Sequence, residues 1–133
     1  LAYQRKFALA FSFSVSVLGA GATALILKEL IHRARPEIVL QAYRETGFSF
    51  PSGHATLAAA GYGFVIYVVW RTMPAGYLRA LIIAALTLLI ALIAFSRLYL
   101  GVHYLSDIIG GLLLGGIFVW IGSVSVQKLG QRT

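Results

Sequence analysis

Four long uncharged runs leave this chain few ways to fold. Phe7 to Leu27 covers 21 residues, Ala55 to Trp70 covers 16, Ala80 to Ser96 covers 17 and Ile108 to Gln127 covers 20. A helix needs about 20 apolar residues to cross the hydrocarbon core of a bilayer, with about 17 as a lower limit. The second run reaches that length only if its helix starts near Ser52. In lipid the backbone must satisfy its own hydrogen bonds, so a spanning segment is either a helix or a strand of a closed barrel. Phe11 to Val17 alternates as a barrel strand would. The other three runs are continuously apolar, which a barrel strand is not. The expected fold is all-α: an integral membrane bundle with four visible transmembrane helices.

Composition agrees, since only 11% of residues are charged against about a quarter in a soluble domain. The first run is too long for a secretory signal peptide and lacks a plausible cleavage site. The chain starts with Leu rather than Met and so reads as a compact version or as a piece of a longer protein. It has no cysteine, which excludes disulfides and thiolate chemistry. Pro36 to Phe50 is the only long connection, so residues 1–133 read as one domain. The net charge of +7 suggests nucleic acid, but the basic residues are scattered between spans rather than gathered on one soluble face. No nucleic-acid partner is expected. Tyr3, Trp70 and Tyr77, near span ends, fit an interfacial aromatic belt.

Three polar clusters interrupt the apolar pattern. The first, KELIHRARP, holds Lys28, Arg35 and Pro36. Seven residues is nearly two helical turns, which would put Lys28 and Arg35 on one face, and Pro36 is expected to end the helix at Arg35. Taken alone, this cluster reads best as a basic collar snorkelling to the interface. The second, PSGH, opens the second span. Ser52 suits an N-cap, the free N–H groups of a helix start favour an anion, and Gly53 leaves the backbone open to close approach. His54 stands one step inside, where it could donate a proton. A plain capped helix with an interfacial histidine is the competing reading.

The third cluster, SRLYLGVHYLSD, carries Ser96, Arg97, His103 and Asp107. His103 and Asp107 are spaced i, i+4 and so are neighbours on a helix. A carboxylate there could keep one imidazole nitrogen protonated and leave the other free to attack, as in a Ser-His-Asp triad. A structural ion pair at a helix start is the alternative. Four alternating spans then put the end of the first, the start of the second, the end of the third and the start of the fourth on one membrane face. Every residue singled out lies at one of those ends. Cations, an anion-ready helix start and two histidines form an inventory for binding a phosphate and passing it through histidine.

In order, K-x6-RP, PSGH and SR-x5-H-x3-D resemble the three-part signature of the type 2 phosphatidic acid phosphatases, within the lipid phosphatase and haloperoxidase superfamily. The motifs cover residues 28 to 107. The resemblance implies a PAP2-like membrane core with His103 as the nucleophile, Asp107 orienting it, and His54 as acid and then base. Lys28, Arg35, Ser52, Gly53 and Arg97 would hold the phosphate oxygens. It also implies no metal and no cofactor, and phosphoryl transfer, being mostly positioning plus charge stabilisation, suits three fixed cations. Bacterial membrane members commonly have six spans, two of them before the K-x6-RP helix. Either those two were removed here or this is a compact version.

The expected activity is hydrolysis of a lipid phosphate or diphosphate, such as phosphatidic acid, phosphatidylglycerol phosphate or undecaprenyl diphosphate, through a phosphohistidine. A lipid phosphotransferase would use the same residues, and a non-catalytic lipid-binding or transport protein is the alternative from another class. Retention of both histidines and Asp107 speaks against the latter, and membrane spans speak against a vanadate haloperoxidase. His32, Arg33 and Arg44 read as interfacial or headgroup-facing, and Gly111 and Gly115 as a helix-packing notch. Basic residues on the motif-bearing face are Lys28, Arg33, Arg35, Arg44 and Arg97; the other face has Arg5, Lys6, Arg71, Arg79, Lys128 and Arg132 without an acid. With at least three of the first five assigned to phosphate, the positive-inside rule puts the site on the outer face, in a bacterial cytoplasmic membrane.

Overall fold

The computed structural model describes the backbone of residues 2–130 and the side chains of residues 6–128. Tyr3, Arg5 and Arg132, counted above among belt and basic residues, lie outside the described side chains. Four helices follow one another: α1 (Ala2–Ile31), α2 (Gly53–Thr72), α3 (Tyr77–Tyr99) and α4 (Leu105–Gly130), with a short 3₁₀ turn at Ile38–Leu40. No strand occurs among the described residues. All four helices are long and apolar enough to cross a bilayer, and the 20 residues of α2 extend about 30 Å at 1.5 Å per residue. This is an integral membrane protein.

The bundle is inverted relative to a soluble one. Its interior is built from small residues, including Ala20, Ala24, Ala55, Ala59, Ala60 and Ala94. Large side chains such as Leu18, Leu88, Ile117 and Trp120 point outward, where lipid tails solvate them as well as a core would. Helix association in lipid relies on close van der Waals packing, which small residues permit. The Gly111–Gly115 notch is one such close approach. A Cβ on Gly111 would lie 2.7 Å from the Ser52 carbonyl oxygen, and one on Gly115 would lie 2.5 Å from Ala59 Cβ. The helix received by the notch is α2.

This contact makes α2 and α4 the central pair. α1 packs on both, α3 packs mainly on α2, and α1 and α3 do not meet. α2 therefore has α4 on one side and an open cleft between α1 and α3 on the other. Ser16 Oγ donates to the Ala60 carbonyl across the α1–α2 contact at 3.2 Å. The 32–51 segment straps the polar ends together. Ala42 N–H donates to the Leu100 carbonyl, Ser49 N–H to the Arg33 carbonyl and Ser52 N–H to the Asp107 carbonyl, each at 2.9 Å. Gly101, with φ +68°, lies against the Leu40 carbonyl where any Cβ would collide.

Candidate active site

The end of α1 differs from the sequence expectation. The helix stops at Ile31, four residues before Arg35, and His32 adopts φ +52° while its N–H still reaches the Lys28 carbonyl at 3.1 Å. This is a left-handed C-cap. Lys28 and Arg35 consequently meet through a turn of the chain, not through helical periodicity. The His32 ring rests against Phe48, with centroids 4.4 Å apart, and does not border the polar pocket.

That pocket encloses about 230 Å³ and is lined by Lys28, Arg35, Glu45, Gly53, His54, Leu57 and His103. Lys28 Nζ is steadied by the Phe48 carbonyl at 2.8 Å. Arg35 is the most tethered member. Its Nε donates to the Gly47 carbonyl at 3.1 Å, Nη2 to Thr46 at 3.2 Å and Nη1 to Val102 at 2.9 Å. Nη1 also lies 3.2 Å from Glu45 Oε2 and 3.2 Å from His103 Nε2. A guanidinium can only donate, so His103 Nε2 is the acceptor and the ring proton belongs on Nδ1.

His103 Nδ1 is buried without a well-formed hydrogen bond, and faces Asp107 Oδ2 at 3.5 Å. Burial pushes the imidazole pKa below its usual 6.5, and the nearby Arg35 and Lys28 charges push the same way, against Glu45 and Asp107. The ring is therefore neutral at pH 7. Asp107 is fully buried. Its Oδ2 accepts the Tyr104 N–H at 2.8 Å, as a capping-box acid does. Its Oδ1 accepts from Arg33 Nη1 at 2.8 Å.

Ser52 caps α2 as expected, its Oγ accepting from Ala55 N–H at 3.4 Å, and the side chain is completely buried. The first N–H groups of the helix have no intrahelical acceptor. Nothing lies within 4 Å of where a Gly53 Cβ would sit, so the backbone there is open to the pocket. Arg97 does not border the pocket. Its Nη1 donates to Tyr43 Oη at 2.9 Å and its Nε to Ser96 Oγ at 3.3 Å.

Two residues of the site were not singled out from sequence. Arg33, expected to face headgroups, instead holds Asp107. Glu45, on the connection between α1 and α2, pairs with Arg35. The signal available for Arg33 was the need of a buried carboxylate for a cationic partner; its 74-residue separation from Asp107 hid the match. Among the described residues, no group of three or more histidine, aspartate and glutamate side chains is arranged to hold a metal.

Four apolar helices whose polar ends gather two histidines and several cations define a membrane enzyme-like core. The PAP2 superfamily model matches residues 9–131, and the chain belongs to that superfamily. It is 36% identical over 91 residues to phosphatidylglycerophosphatase B of Bacillus subtilis, covering 68% of this chain and 44% of that protein. It is 31% identical over 121 residues to an undecaprenyl-diphosphatase of Sulfolobus acidocaldarius, covering 90% of this chain and 52% of the relative. The crystal structure of a transmembrane PAP2 type phosphatidylglycerolphosphate phosphatase from Bacillus subtilis superposes with a TM-score of 0.74 at 30% identity, over 90% of this chain and 58% of the other. The chain thus spans about half the length of the relatives it matches.

Proposed function

We propose that residues 1–133 act as one membrane phosphatase domain that hydrolyses a lipid phosphate or diphosphate through a phosphohistidine. One observation carries the lipid part of this reading. The polar pocket shares His54 and Leu57 with a second cavity of about 410 Å³ that is almost wholly apolar. Its floor is one face of α2, with Leu57, Ala58, Gly61 and Val65 at helical spacing; Phe13 and Val17 of α1 and Ile93 of α3 form the walls. From His54 to Val65 is about 16 Å along the helix. A phosphate in the cationic cup would leave its hydrocarbon chain lying in this cleft.

In this scheme Lys28, Arg35 and the start of α2, with Ser52 setting its cap, hold the phosphate oxygens, and Arg97 joins them by leaving Tyr43. Arg35 Nη1 gives up His103 Nε2 for a phosphate oxygen, which frees the lone pair for in-line attack. The N–P bond forms as the P–O bond to the lipid breaks, and His54 supplies the proton the leaving oxygen needs. Asp107 faces the protonated Nδ1 as positive charge grows on the ring. His54 then takes a proton from water, whose oxygen attacks phosphorus and restores His103. The names of the relatives, a phosphatidylglycerophosphatase and an undecaprenyl-diphosphatase, make those two lipids the first substrates to try.

The test is phosphate release from phosphatidic acid, phosphatidylglycerol phosphate and undecaprenyl diphosphate, with and without EDTA. Release from at least one, undiminished by EDTA, is expected; no release, or activity lost on chelation and restored by a divalent ion, contradicts the reading. The site is further proposed to face away from the cytoplasm of a bacterial cell. Arg33 has a structural role of its own in pairing with Asp107, so its presence on that face is explained without a topological signal. In intact cells an impermeant maleimide should label Tyr43→Cys and spare Gly76→Cys; the reverse pattern inverts the orientation.

A further inference from the structure

The K-x6-RP motif assigns no role to Arg33, yet Arg33 makes a distinctive set of contacts. Its Nη1 donates to Asp107 Oδ1 at 2.8 Å and to Ser106 Oγ at 2.6 Å. The guanidinium carbon lies 4.5 Å over the Tyr104 ring. All three partners belong to Tyr104–Asp107, the turn that starts α4 immediately after His103. The Asp107 side chain has no exposure at all, so its charge depends on partners for stability. One oxygen is taken by Arg33 and the other by the Tyr104 N–H, beside His103 Nδ1. With both lone-pair directions engaged, the carboxylate has little freedom to rotate.

We infer that Arg33 is a positioning residue for the nucleophile: it locks the Asp107 carboxylate in the orientation that faces His103 Nδ1, and it tempers the pull of that carboxylate on the ring proton. It touches no substrate and acts only through Asp107. The inference rests on the phosphatase reading for its kinetic tests and on geometry alone for its spectroscopic one.

The charged and titratable groups around His103 are Lys28 on α1, Arg35 and Glu45 on the strap, His54 on α2 and Asp107 on α4. Arg33 stands behind Asp107 from this group. Without it, the carboxylate attracts the imidazolium more strongly, and the proton on His103 is held to higher pH. Arg33→Ala should lower kcat about 10–100-fold, the scale on which outer partners of a catalytic ligand act, with KM and vanadate inhibition little changed. The acid limb of the kcat/KM profile should move to higher pH, by less than the roughly 1–3 units that a directly facing charge produces. Arg33→Lys should recover much of kcat. In an Asp107→Asn background, Arg33→Ala should cost little more, because its route of action is already gone.

The experiment combines these kinetics with an NMR titration of the His103 imidazole in detergent micelles, which needs no turnover. A higher titration midpoint in Arg33→Ala than in wild type supports the inference even if none of the lipids is hydrolysed, an outcome that would contradict the proposed function instead. A raised KM with the acid limb unmoved makes Arg33 a substrate contact and overturns it. An unchanged midpoint, or losses that multiply fully in the Asp107→Asn background, also overturns it. Should Arg33→Ala fail to fold, Arg33→Lys and Arg33→Gln carry the same comparison.

Discussion

The two histidines of the pocket are housed in opposite ways. His103 is 3% exposed, follows the α3–α4 turn and is bracketed by Arg35 at one ring nitrogen and Asp107 at the other. His54 sits exposed one residue inside α2, where the polar pocket meets the apolar cleft. The first arrangement fixes a ring, its tautomer and its protonation state. The second leaves a ring free to meet a leaving group and then water. A nucleophile must be aimed before substrate arrives, whereas an acid and base must serve two different oxygens in succession, so each environment suits a different step.

His103→Ala breaks this comparison hardest. Loss of a nucleophile can cost on the order of 10⁶ in kcat, and no second histidine among the described residues has a buried carboxylate to replace it; near-normal lipid hydrolysis by this variant would refute the assignment. His54→Ala should cost about 10²–10⁴ in kcat/KM on an alkyl phosphate and much less in kcat/KM on p-nitrophenyl phosphate, whose leaving group needs no proton. The ratio kcat/KM reports the phosphorylation step and not the later attack of water. Equal losses on both would show that His54 is not the acid. Smaller again are the effects on vanadate inhibition. Arg35→Ala and Lys28→Ala should weaken it strongly, and Arg97→Ala less, because Arg97 must first release Tyr43. A larger effect at Arg97 than at Arg35 would mean that Arg97, and not Arg35, is the principal anion contact.

The smallest effect is in the pH profile. The neutral imidazole of His103 is the reactive form, and its pKa lies below 6.5 because of burial and the neighbouring cations. Activity should therefore persist as pH falls through 6.5 and fade only as the ring protonates below that point. An acid limb of kcat/KM above pH 6.5 would show that the ring is held as imidazolium, and that Asp107 outweighs Arg35.

Most of the fold was legible because hydropathy and end-capping are properties of one segment at a time. The four spans and the Ser52 cap needed no knowledge of distant residues. The i, i+4 spacing found the His103–Asp107 contact, although His103 precedes α4 and the turn before that helix, not helical periodicity, makes the pair. What escaped depends on how residues 32–51 fold back. The left-handed turn at His32 ends α1 early and swings Arg33 toward α4 and Arg35 toward His103. Glu45 and Tyr43 reach Arg35 and Arg97 from the same strap. None of these pairings has a periodicity to reveal it. They follow from a loop bringing a guanidinium within hydrogen-bond reach of an acceptor far away in the sequence, whether carboxylate, phenol or imidazole.

The central claim is a division of labour in which His103 carries the phosphoryl group and His54 moves protons. Its most direct test is rapid quench of the protein with a ³²P-labelled aryl phosphate, followed by mapping of the acid-labile label. With so good a leaving group, His54→Ala should still be phosphorylated but lose the base that activates water. The account predicts label on residue 103 in wild type, more of it in His54→Ala, and none in His103→Ala. Label on His54, or label that survives in His103→Ala, would contradict it.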